Sequence, residues 1–266
     1  MTVIEKIGVT QGFSTLEQLR IKSKDEIRPA AEAFQRLVGE MGDLKIAVLH
    51  NIATNAPMVD KDGQSLNAQV FGWAEHDLES KLHDPRTALD SPLIAACRYE
   101  SDIFWCNAEG FHSKTTTKYL DCIDLVSFER RTHVKAAIVA PVHLPCSQIG
   151  VVFYLLNDPK KTDMAAIFDQ HSDALASYAR TFITSYVRAM CPDQSLPPRL
   201  RLSKREVECL HWAAIGKTDN EIGMIIGRSP ATIRFHIHNA SQKLDTVNRP
   251  QTICKAAQLG YIALIT

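Results

Sequence analysis

The sequence predicts an α/β protein in two parts: a sheet of about five strands covered by helices on both faces, then a small all-α domain. Three observations predict it. Short β-branched and aromatic runs alternate with segments of helical period through residues 1–190. The stretch CPDQSLPPRL, residues 191–200, places three prolines among polar residues and reads as a linker. Beyond it, residues 201–266 carry helix caps and glycine stops in close succession. With 266 residues, 45% of them hydrophobic, the chain has material for two cores.

Taken in order, DEIRPAAEAFQRLVGEMG (25–42) has apolar residues at helical spacing and predicts a helix that stops by Gly42. Five runs then read as strands: KIAVLHNIA, AQVFGW, IFWCN, AAIVAPVHL and QIGVVFYLL, the last two joined as a hairpin through Pro145–Ser147. Segments 74–101 and 118–131 between them are helical in period. A long helix follows over 162–190, with Thr162 as its cap. Its stripe, including Phe168, Leu175, Phe182 and Tyr186, is broader than one sheet face needs and predicts a two-fold dimer contact.

Charge divides unevenly along a chain that is neutral overall. Residues 199–266 hold ten Lys and Arg against five Asp and Glu, a net +5, which leaves −5 for the rest. Such asymmetry points to a polyanion partner for the basic part. The seven cysteines never fall into CxxC spacing, so they read as reduced core thiols, with no metal site and no cofactor implied. No apolar run reaches the roughly 20 residues of a membrane span, and the start lacks a signal-peptide pattern, so the expected location is cytoplasmic.

The basic part is clearly punctuated. Ser203 with Glu206 and Thr218 with Glu221 are capping boxes, and Gly216 and Gly227 suit left-handed stops. Ser229 caps a third helix whose first residue, Pro230, loses nothing by lacking an amide hydrogen. Two helices and a glycine turn before a capped third form a helix-turn-helix pattern. In that third helix Ile233, Ile237, Ala240 and Leu244 follow an inward rhythm, while Arg234 and His238 share another face. A major groove admits such a helix, and an arginine there bonds a guanine edge bidentately. Lys217, Arg228, Lys243 and Arg249 flank it as candidate phosphate contacts. His236 and His238, two apart, point to different sides and do not suggest a metal site.

These residues carry a resemblance. LSKRE, WAAIGKT, EI and TIRFH resemble the DNA-binding domain of LuxR-type transcription regulators, and the continuation NRPQTICKAAQLGYI is similar to the quorum-sensing branch. The resemblance implies a four-helix domain that dimerises through its last helix and regulates transcription at a near-palindromic operator beside RNA polymerase. It implies base contacts from Arg234 and His238 and backbone contacts near Ser229 and Thr232.

It also implies an amino-terminal α/β/α sandwich over residues 1–190 that binds an acyl homoserine lactone between sheet and helices. In a gapless register Asp90 and Trp105 fall on the family's polar ligand anchors. By residue type alone, they read as a helix cap and a core aromatic. Where the family has a tryptophan and a tyrosine, this chain has Asp77 and Lys81; Ser91 replaces a proline and Ala137 a glycine. Asp77 and Lys81 are spaced either to meet an acidic ligand or to form a surface pair. The expected ligand is therefore a small molecule other than an ordinary lactone, with a true lactone receptor and a phosphorylation-driven or ligand-independent regulator as the alternatives. No GxSxG, HExxH, P-loop or nucleotide-binding glycine pattern appears, so no enzyme is expected.

Overall fold

The computed structural model describes residues 15–54, 56–73, 89–115, 118–158, 160–190 and 201–263. The chain forms two units, one of residues 1–144 and 148–192, the other of 193–266 with 145–147. The expected linker, residues 191–200, lies outside the described residues, as do Asp77 and Lys81.

In the larger unit, helix α1 (Ile27–Gly39) precedes strand β1 (Leu44–Leu49) and the short helix α2 (Leu66–Gln69). Helix α3 (Pro92–Ala96), strands β2 (Phe104–Asn107) and β3 (Gly110–Ser113), and helix α4 (Phe128–Thr132) follow. Strands β4 (Ala136–Leu144) and β5 (Gln148–Leu156) lead into α5 (Ala165–Met190). All pairings are antiparallel, in the order β1-β5-β4-β2-β3. The sheet has the expected five strands, but one was misplaced. Ala68–Trp73 is not a strand: Ser65 caps α2 there, and Gly72, at φ +76°, turns the chain away. The fifth strand is instead β3, whose sequence GFHS shows no clean alternation.

Side-chain alternation divides the core. Ile138, Ala140, Tyr154 and Trp105 face α1 and α5, whereas Ala137, Val139, Phe104 and Cys106 pack with residues of α3 and α4. Tyr154, fully buried, donates its hydroxyl to Leu175 O at 2.8 Å and so ties β5 to α5. A Cβ at Gly150 would stand 2.6 Å from Ile183 Cγ2, so glycine lets α5 approach the sheet. The apolar stripe of α5 is spent on this core, and its opposite face carries Asp169, Gln170, Asp173, Ser177 and Arg180. Half-buried apolar residues of α5, among them Ile167, Tyr178, Val187 and Met190, border that core. Asp163, not Thr162, accepts from the first turn of α5, through Ala165 N at 2.8 Å.

Strand β1 is a sheet edge, and side chains close it. Asn67, 1% exposed, accepts from Val48 N and donates to Val48 O, while the Trp73 indole donates to Ile46 O. Burial pushes the Cys97 and Cys106 thiols well up, which makes both inert. Among the described residues no helix is long and apolar enough to cross a membrane.

The smaller unit is helical: α6 (Lys204–Ala214), α7 (Asp219–Ile226), α8 (Pro230–Lys243) and α9 (Arg249–Gln258). Leu210, Ile222, Ile233, Ala240, Leu244 and Ala256 form the centre of its core.

Candidate nucleic-acid interface

Both capping boxes close as their spacing predicts, at Ser203 with Glu206 and at Thr218 with Glu221. Gly216 (φ +91°) ends α6 by donating to Ala213 O, with Lys217 N reaching Trp212 O. Gly227 (φ +68°) ends α7. Ser229 caps α8 by accepting from Thr232 N at 3.2 Å, and its hydroxyl lies 2.9 Å from Thr232 Oγ1. One required residue escaped the sequence reading. A Cβ at Gly223 would stand 2.6 Å from the carbonyl oxygen of Arg228, so only glycine lets α7 pass under the turn into α8. A glycine inside a short helix was the available signal.

Successive residues turn by about 100° on a helix. Ile233, Ile237 and Ala240 lie inward, and Ala231, Arg234, Phe235, His238 and Gln242 are exposed together on the far side of α8. Arg234 retains only a 4.0 Å approach to Asp219, with its side chain 66% exposed. His238 is exposed on the same face, and Arg228 is exposed just before the helix. Lys217 makes a loose surface pair with Glu221 at 3.5 Å, which costs little to open. Phe235 was missed, although its place outside the Ile233–Ile237 rhythm marked it as outward-facing.

Two residues expected at phosphates, Lys243 and Arg249, are engaged within the domain. Lys243 donates to both carboxylate oxygens of buried Glu206, at 2.9 and 2.8 Å, and so ties α8 to the first turn of α6. Burial alone would raise the Glu206 carboxyl, but Lys243 and Ser203 outweigh it and hold the group below the ordinary range. Arg249 donates to Asp219 and to Lys217 O, pinning α9 to the start of α7. Asp219 thus holds Arg249 through one oxygen and faces Arg234 with the other.

The expected ligand anchors do not come together. Trp105, 8% exposed, packs on the α1 and α5 side and stacks on His112 with ring centroids 4.1 Å apart, while Ala137 lies on the opposite face. Asp90 is exposed before α3, on the side of Ala137, and Ser91 holds the N-cap position. Arg131 of α4 gathers that loop, donating to Asp90 O and Asp124 O, each at 2.8 Å. Trp105 and Asp90 thus lie toward opposite faces of the sheet. On β2 the residue facing α3 is Phe104, one position away, because a strand reverses face at every residue.

The capped α7–turn–α8 unit with a free basic outer face defines a helix-turn-helix domain. Residues 200–256 match the family GerE, bacterial regulatory proteins of the luxR family. The smaller unit is accordingly a LuxR-family helix-turn-helix domain. Transcriptional activator protein VanR of Vibrio anguillarum is 35% identical over 129 residues, 48% of this chain and 52% of that protein. Transcriptional activator protein LuxR of Aliivibrio fischeri is 51% identical over 61 residues, 23% of this chain and 24% of that one. The chain therefore covers about half the length of VanR and about a quarter of that LuxR. The fold as a whole is similar to a crystal structure of Escherichia coli SdiA, with a TM-score of 0.53 and 18% identity over 97% of this chain and 99% of that one.

Proposed function

We propose that the protein is a ligand-responsive, DNA-binding regulator of transcription that acts as a homodimer on a near-palindromic operator, with RNA polymerase as its partner at the promoter. The observation that carries this reading is the outer face of α8. Arg234 is 66% exposed and only loosely approached by Asp219, on a capped helix opposite a packed core. The net charge of +5 over residues 199–266 supports a polyanion partner. Anisotropy of a labelled duplex selected by the full-length protein tests it. Affinity falls with added salt, and Arg234→Ala loses about 1–3 kcal/mol on the selected duplex while leaving random duplex binding nearly unchanged. Equal losses on both duplexes overturn base reading by Arg234.

The larger unit is proposed to bind a small organic molecule on the α3 and α4 side of the sheet, distinct from an ordinary acyl homoserine lactone. Support comes from Trp105 being turned to the other face and from Asp90 being exposed beside Arg131. Mass spectrometry of the denatured protein identifies a retained molecule, and a thermal-shift panel sets lactones against carboxylate-bearing aromatics. Sub-micromolar lactone binding abolished by Asp90→Ala overturns the choice of ligand.

A further inference from the structure

We propose that Phe235 is a specificity-determining residue that reads the 5-methyl group of a thymine beside the base contacted by Arg234. The inference rests on the DNA-binding reading and deepens it. Phe235 is 59% exposed near the middle of α8, where the helix is otherwise well ordered by its cap and core. Its ring meets one aromatic neighbour, His236, edge-on at 5.8 Å. Burial of a phenylalanine ring is stabilising, and here more than half of that surface is left to solvent within the domain. The ring instead stands in the row Ala231, Arg234, Phe235, His238, the row that any duplex lying along this face meets first.

Ala231 lies one turn before Phe235 on the same side, and its small side chain leaves space next to the ring. A charged face with one apolar ridge and a gap beside it fits the major groove. There thymine alone among the four bases presents a methyl group, and apolar side chains recognise it. A phosphate contact does not explain a phenyl ring, and a guanine or cytosine edge would lose hydrogen bonds to water against it without replacement. Arg234 fixes the register, and Phe235, its neighbour along the helix, reaches the adjacent step.

The full-length protein is used to select duplexes from a randomised pool, in parallel with Phe235→Ala, Phe235→Leu and Arg234→Ala. Each thymine of the wild-type consensus is then replaced singly by deoxyuridine, which removes only the methyl group. The expected result is one thymine, within a base pair of the position whose preference Arg234→Ala relaxes, where deoxyuridine lowers wild-type affinity about fourfold, the effect of one buried methyl. Phe235→Ala shows no such loss, and Phe235→Leu shows part of it. Because the side chain is exposed, the variants keep the wild-type unfolding midpoint, which is measured alongside. A selected consensus with no methyl-sensitive thymine, or sensitivity unchanged in Phe235→Ala, overturns the inference alone. Failure of the wild-type protein to enrich any sequence overturns the DNA-binding reading beneath it.

Discussion

Arg234 and Lys243 are both basic residues of α8, and the folded domain uses them in opposite ways. Arg234 reaches outward, while the Lys243 ammonium is held against the buried carboxylate of Glu206. Lys243→Ala therefore acts on stability. It leaves Glu206 buried without its cation and costs about 1–3 kcal/mol, moderated because Lys243 is itself 35% exposed. Chemical denaturation of the smaller unit measures this, and the folded variant binds random duplex as the parent does. A salt-dependence slope lowered by about one unit would return Lys243 to the phosphates. Side-chain type and spacing could not separate the two roles, because the Glu206 partner is distant in sequence and meets Lys243 only when α6 and α8 pack.

At the scale of elements, two close approaches set the architecture. The α7 to α8 turn needs Gly223: Gly223→Ala improves intrinsic helix propensity yet drives a methyl against the Arg228 carbonyl, for a net loss of about 1–3 kcal/mol. Thermal unfolding of the smaller unit checks it, and an unchanged or higher midpoint would show that the turn yields. On the sheet, Asn67→Ala strips both backbone groups of Val48 of their partners at the β1 edge and costs about 2–4 kcal/mol, read as faster amide exchange at Val48. Protection at Val48 equal to the parent's would mean that another group or water substitutes. Strands β4 and β5 were legible because they are long apolar runs. Strand β3 was not, since its four edge residues, three half-buried and one exposed, owe their conformation to pairing with β2. The segment Ala68–Trp73 misled for the converse reason: its apolar side chains serve a helix and a turn that pack over β1.

For the molecule as a whole, acid should weaken the smaller unit. The folded-state pKa of Glu206 lies below its ordinary value. Its contribution is thus fully present above the ordinary glutamate range and lost as pH falls through and below that range. Urea unfolding across this window checks the sign: Glu206→Gln is less stable than the parent near neutrality, and the gap narrows in acid. A gap of constant size would remove Glu206 from the account.

Local signals by themselves determined the caps of α6, α7 and α8, the glycine stops, the basic outer face of α8 and the long strands. Each depends on residues within a turn or two of chain, where backbone hydrogen bonding and side-chain period decide the conformation. Only the tertiary structure decided that Lys243 and Arg249 serve the domain's own carboxylates, that the α5 stripe is spent on the sheet, and that Trp105 and Asp90 lie on opposite sides of it. Those outcomes turn on which face a strand presents and which distant charge arrives first. A shift of one residue in register reverses the one, and the packing of helices far apart in sequence sets the other.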